Sequence, residues 1–197
     1  MDFHMEDRER GRRPEPASVA LTSLEERARL EYESGNYSVA ERLMRSAVEL
    51  DGADASTYFN LGQILYASGD YLGAIEAYGL SVDEVDDALL NRGLCWEMVG
   101  EFDKARADYL SVLRAHEDDV DALVNVGTLE LGEGNIELAK KYLLQAAALD
   151  EKCNWQLADA FLEDGDFRRA ERALELALKA GESRAWLQLE ELRGRMS

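Results

Sequence analysis

The chain has 197 residues, with 22 Lys and Arg against 41 Asp and Glu, a formal net charge of −19. Nucleic-acid binders need surplus cations to displace phosphate counterions, so this balance argues against DNA or RNA as a ligand. Anionic headgroups would repel the same field, and no run approaches the roughly 18 apolar residues that span a bilayer, so no membrane association is expected.

Residues 1–17 read as a disordered, charged arm, because Glu6 to Arg13 is almost wholly charged and the two prolines, Pro14 and Pro16, close the segment. The opening residues lack the apolar stretch and small-residue cleavage site of a secretory leader. Cys95 and Cys153 make neither a disulfide framework nor a paired metal or redox motif. The compartment expected is therefore the cytoplasm. Beyond the arm proline is absent, and apolar residues recur at three and four positions, the period of amphipathic helices. The fold class expected is all α.

Five segments share a glycine, a polar residue and an aromatic or aliphatic residue, with alanine five positions after the glycine. They are Gly35-Asn36-Tyr37 with Ala40, Gly69-Asp70-Tyr71 with Ala74, Gly100-Glu101-Phe102 with Ala105, Gly134-Asn135-Ile136 with Ala139, and Gly165-Asp166-Phe167 with Ala170. The glycine takes a left-handed conformation that ends one helix, and the polar residue caps the next. The aromatic is expected to plug the angle between the helices, and the alanine to let them approach closely. Each hairpin has an apolar face it cannot bury alone, so neighbours must stack.

This pattern resembles the tetratricopeptide repeat (TPR) family, most closely in Tyr58 to Ala74, which carries an aromatic, the Leu61-Gly62 pair, the turn glycine and the alanine of the second helix. The resemblance implies a right-handed α-solenoid of stacked hairpins over residues 18–197. Its repeats would span about 21–54, 55–85, 86–119, 120–150 and 151–182, with a capping helix over 183–195 containing Trp186, Leu189 and Leu192. The second and fourth units are three residues short, which should tighten the connections near Asp83–Asp87 and Asp150–Lys152. Glu31 and Glu130 stand where a packed Tyr or Leu is usual, so local irregularity is expected there.

In the family, the second, fifth, sixth, ninth, twelfth and thirteenth residues of a unit face the concave groove. The sixth positions here are Glu26, Asn60, Asn91, Asn125 and Gln156, four successive amides that can pair with a peptide backbone without demanding a sequence. Phe59, Leu90, Val124 and Trp155 occupy fifth positions, and Leu94 a ninth; such apolar groove residues mark a binding site. Gln63 and Tyr66 complete the partner-binding set. Trp96 and Trp186 are assigned to packing between helices. From Ser46 to Asp103, twelve acids face the single base Arg92; Asp87, Glu97 and Asp121 fall on groove positions and would draw a basic ligand.

The fifth positions hold no lysine, so the resemblance does not extend to members that grip the acidic tails of heat-shock chaperones. His4 and His116 have no nucleophile or metal-ligand partner at useful spacing. Gly132-Glu133-Gly134 lacks the strand and lysine of a phosphate loop. No catalysis and no cofactor are expected. The function expected is a non-catalytic adaptor that holds a peptide or helical segment of another protein, carrying basic residues, in an acidic groove lined by amides and aromatics. The alternatives are a secretion-type TPR chaperone and an acidic inhibitor that mimics nucleic acid.

Overall fold

The computed structural model describes residues 17–85 and 87–196, and among them the regular structure is entirely helical. The expected arm lies outside the described residues except for Ala17, which opens the first helix. The described residues divide into two compact units, 17–85 and 87–196.

In the first unit, α1 (Ala17–Glu33), α2 (Tyr37–Val48), α3 (Ala55–Ser68) and α4 (Tyr71–Gly79) each pack on the next. The second unit continues the pattern with α5 (Ala88–Met98), α6 (Phe102–Ala115), α7 (Val120–Gly132), α8 (Ile136–Leu149), α9 (Asn154–Glu163), α10 (Phe167–Lys179) and α11 (Ala185–Met196). The three residues missing from the second repeat come out of α4, which has 9 residues against 12 in α2. In the fourth, the connection is a 3-10 turn, Glu151–Cys153, capped by Asp150 on the Lys152 amide.

The turns form for the reasons their sequences suggest. Gly69 has φ +86°, a left-handed value that a side chain would oppose, and the Asp70 carboxylate then accepts from the Gly73 amide to start α4. Asp166 caps α10 on Arg169 in the same way. The two asparagine turns work differently. Neither Asn36 nor Asn135 caps its helix through the side chain; each reaches back five residues, Asn36 Nδ2 donating to Glu31 at 2.8 Å and Asn135 Nδ2 to Glu130 at 2.7 Å. The glutamates expected to disturb these repeats therefore clip the turn shut, and α1 and α7 stay regular. Glu130, 3% exposed, also accepts from Arg106 at 2.6 Å, so its charge is buried with a partner.

Packing within each hairpin rests on a small residue of the first helix facing a large one of the second. Gly62 faces the Tyr78 ring, Gly93 the Tyr109 ring and Gly127 the Leu143 side chain, so closely that a Cβ on any of the three glycines would lie 2.4–2.6 Å from its neighbour. By spacing, Ala28 with Met44 and Ala158 with Leu174 are the equivalent pairs, and all are buried. The turn alanines Ala40, Ala74, Ala105, Ala139 and Ala170 are fully buried as well. With that angle filled, the turn aromatics have no room to plug it: Tyr37, Phe102 and Phe167 are exposed. Tyr37 rests on Tyr32 and Tyr71 on Tyr66, each ring pair 5.6 Å apart.

The closing helix also corrects an expectation. Ala185, Leu189 and Leu192 form its buried face, whereas Trp186 is 59% exposed. The register that seats Leu189 and Leu192 turns residue 186 outward, so this tryptophan does not pack between helices. Arg193 fixes α11 to α10 through Glu171 and Glu175.

Candidate functional site

The first unit contains a cleft of about 430 Å³ whose lining comes mainly from α1 and α3. Its floor is Met44 and Ile64, both buried. Its walls carry Asn60 and Gln63 from α3, and Glu25, Glu26, Arg29, Tyr32 and Glu33 from α1. Helical spacing explains the convergence: Asn60, Gln63 and Ile64 lie three and four residues apart and share one face of α3, as do Glu25, Glu26, Arg29 and Glu33 on α1. Thr57 ties the helices together by donating to Glu25 at 2.7 Å while receiving the Asp54 cap on its own amide. Arg29 is held by Glu33 at 2.5 Å. Asn60 and Gln63 make no side-chain hydrogen bond among the described residues, so their donors and acceptors face the cleft unspent.

The other two candidates of this unit are engaged elsewhere. Phe59 is half-buried with its ring 5.5 Å from Tyr78, and Tyr66 lies edge-on to Tyr71. Neither lines the cleft.

In the second unit the expected residues are more deeply built into the fold. Leu90 and Leu94 pack against the Ala105, Tyr109, Val126 and Leu129 cluster, and Val124 and Trp155 against the large core that extends to α11. The Arg184 guanidinium lies 4.6 Å over the Trp155 ring, covering one face. Arg184 is in turn held by Glu182, whose carboxyl that guanidinium lowers to about 2. The amides differ in what they have left. Asn91 bends back to donate to the Asp87 carbonyl at 2.8 Å. Asn125 makes no side-chain bond among the described residues, and the buried Gln156 Oε1 has no donor.

Of the three acids expected to steer a ligand, Asp87 and Asp121 are exposed at the heads of α5 and α7. Glu97 accepts the Tyr109 hydroxyl at 2.6 Å. Burial first, and then that bond, push the Tyr109 hydroxyl well above its ordinary range. Burial likewise raises the Cys95 thiol to about 12, which leaves it without thiolate character near neutrality. No group of three or more His, Cys, Asp or Glu among the described residues is placed to hold a metal. No described helix is long and apolar enough to cross a membrane.

Residues 25–88 and 97–152 match the tetratricopeptide repeat family, more than half of the chain, and the chain belongs to that family. It is similar to human Superkiller complex protein 3, 29% identical over 140 residues that cover 69% of this chain and 9% of that protein. It also resembles a Haemophilus influenzae lipoprotein NlpI homolog, 34% identical over 112 residues, which are 51% of this chain and 35% of the relative. The chain thus spans about a third or less of these relatives. Among solved structures, Pseudomonas aeruginosa PilF superposes with a TM-score of 0.74 at 18% identity, covering 91% of this chain and 86% of that one, a likeness of fold. The TPR family is one of protein-interaction scaffolds that are generally non-catalytic.

What sequence reasoning missed in this site is α1. Glu26 and its neighbour Glu25 stand at the sixth and fifth positions of the first repeat, yet the densest run of acids in the sequence, Ser46 to Asp103, points to the middle of the chain. Reading Glu25, Glu26 and Glu33 as one helical face would have found the cleft's acidic wall.

Proposed function

We propose that the chain is a non-catalytic adaptor that holds a short cationic segment of another protein in the α1–α3 cleft of its first unit. Asn60 and Gln63 pair with the backbone of the segment, which they can do without demanding a sequence because each amide both donates and accepts. Glu25, Glu26 and Glu33, against the single Arg29, set the preference for Lys and Arg beside an apolar contact with Met44 and Ile64. The observation that carries this reading is two unspent amides opposite a carboxylate wall over an apolar floor. Within the second unit, Asn125, with Asp121 on the same helix α7, and Gln156 and Trp155 in α9 form a second candidate set. The human relative is named for a complex, which accords with a partner-binding role. We place the adaptor in the cytoplasm, where the free, buried Cys95 and Cys153 stay reduced.

Selection of peptides from a random display library on the full chain tests this. Enriched sequences should carry Lys or Arg beside apolar residues. Their affinity should drop by about tenfold in the Asn60→Ala/Gln63→Ala variant, the equivalent of two hydrogen bonds of about 0.7 kcal/mol each. Enrichment of acidic peptides would overturn the reading. Affinity that collapses with salt and ignores the amide pair would favour the acidic mimic instead.

A further inference from the structure

The three carboxylates on the α1 wall of the cleft are held in three different ways. Glu33 is paired with Arg29 at 2.5 Å, and both side chains are more than half exposed, so its charge is neutralised and screened. Glu26 is exposed and makes no side-chain bond among the described residues, which leaves its carboxylate free to rotate in water. Glu25 is half-buried, and its Oε1 accepts the Thr57 hydroxyl from α3 at 2.7 Å. Its Oε2 makes no bond among the described residues and is left for a ligand. Thr57 does not need this contact to start α3. The Asp54 cap is received at 3.0 Å by the Thr57 backbone amide, which any residue but proline would supply, and the return bond of the capping box, from the Asp54 amide to the Thr57 hydroxyl, is long at 3.4 Å. A hydroxyl has one proton to give. Here it goes to Glu25 rather than to Asp54, whose Oδ1 lies 3.3 Å away. Thr57 is 1% exposed in the first turn of α3, so the fold fixes this donor.

Resting on the reading of the cleft as a site for a cationic segment, we propose that Thr57 is a positioning residue that presents Glu25 as the carboxylate selecting the ligand's basic side chain. An anchored carboxylate has already lost the rotamer freedom that Glu26 would give up on binding, and half-burial weakens the screening of its charge. A bond between a cation and such a carboxylate is charge-assisted and about twice as strong as a neutral one. Glu26 and Glu33 draw a cation towards the cleft without discriminating among positions along it.

The anchor also gives the cleft a direction. α1 and α3 are the first helices of successive hairpins and run the same way, so the Glu25–Thr57 bond puts Glu25 at one end of the cleft and, by register, Tyr32 level with Ile64 towards the other. At 1.5 Å per helical residue, Asn60 and Gln63 follow Thr57 by about 4.5 and 9 Å, and Ile64 by about 10.5 Å. An extended segment at about 3.3 Å per residue covers that distance in about three residues. The ligand class that fits is a segment with one basic residue at the Glu25 end, its backbone crossing the two amides, and an apolar residue about three positions away over Ile64.

The test titrates isotope-labelled full chain with two capped peptides while the amide signals of residues 22–33 and 60–64 are followed. One peptide is Ala-Arg-Ala-Ala-Leu-Ala; the other has citrulline, the neutral isostere of arginine, in place of the arginine. The wild type should prefer the arginine peptide by about tenfold, the factor expected of one bond between charged groups. Glu25→Gln, which keeps an acceptor for Thr57 but loses the charge, should reduce that preference to about twofold or less. Thr57→Val, which keeps the shape and removes the hydroxyl, should reduce it to about threefold or less, and Thr57→Ser should restore it. Glu26→Gln and Glu33→Gln should each keep at least about half of it. A preference that Thr57→Val leaves at the wild-type value, that Thr57→Ser does not restore, or that Glu26→Gln or Glu33→Gln lowers as far as Glu25→Gln does would overturn the assignment while the cleft stands. Equal binding of both peptides by the wild type would do the same. If neither peptide binds the wild type, the cleft reading falls and the assignment with it.

Discussion

Replacing Gly93 by Ala sets two quantities against each other that the structure makes comparable. In an exposed helix the substitution stabilises by about 1 kcal/mol, because glycine has the greater freedom to lose. Here the added Cβ would lie 2.4 Å from Tyr109 Cε1 and 2.9 Å from Cδ1 and Cζ. The ring cannot swing aside: Tyr109 is 0% exposed, and its hydroxyl is tied to Glu97 at 2.6 Å. Overpacking of this kind costs about 1–3 kcal/mol, and displacing the ring also weakens a bond to a carboxylate. The expected outcome is a net destabilisation of about 1–2 kcal/mol, read from urea unfolding followed by far-ultraviolet circular dichroism with an unchanged slope. Gly132, which has open space around it, is the control, and Gly132→Ala should stabilise by about 0.4–1 kcal/mol. Adding Tyr109→Leu to Gly93→Ala recreates the Ala158–Leu174 pairing, and the two changes should couple favourably by about 1 kcal/mol. If Gly93→Ala stabilises as much as Gly132→Ala, the small-against-large register is not what holds the hairpins together.

Glu130→Ala should destabilise by about 3 kcal/mol in the same assay, because it strips Arg106 and Asn135 of a buried partner. Glu133→Ala, at the more exposed Arg106 partner, should cost well under half of that. The Asp159 carboxyl is raised chiefly by burial, opposed by the bond it accepts from Gln188. Its folded state therefore holds a proton more tightly than the unfolded chain, and stability is lost as pH rises from the unfolded value of about 3.9 through the folded one. Thermal melting of Asp159→Asn should show an advantage over wild type at neutral pH that vanishes below the ordinary carboxylate range. Trp186→Ala should change stability by no more than about 0.5 kcal/mol, since the ring is exposed, and a loss of 2 kcal/mol or more would show that it packs after all.

The hairpin pattern was legible because each turn needs a specific backbone: Gly35, Gly69, Gly100, Gly134 and Gly165 all have φ between +73° and +86°. The fully buried alanines were legible for the same reason, since only a small side chain fits where two helices cross. Side chains whose fate depends on a neighbour were harder to read. Glu31 and Glu130 look like defects until Asn36 and Asn135, five residues on, are read with them. Trp186 looks like a core residue because it lies three before Leu189, yet Ala185 shares the buried face and residue 186 points away. Among the candidate site residues, Asn60 and Gln63 reach a cleft, whereas Asn91 is spent on the Asp87 carbonyl and Glu97 on Tyr109. Spacing puts all of these on groove positions, but hydrogen bonds within a hairpin decide which remain available. The cleft's depth was not legible, because it depends on how far α1 and α3 stand apart over Met44.

Chemical-shift mapping tests the account most directly. Isotope-labelled full chain is titrated with a selected cationic peptide while the backbone amides and the Asn and Gln side-chain amides are followed. The account predicts that the largest changes fall on residues 22–33 and 60–64 and on the side-chain amides of Asn60 and Gln63. Changes confined to the outer faces of α8 and α10, or spread evenly over the acidic surface and removed by salt, would contradict it.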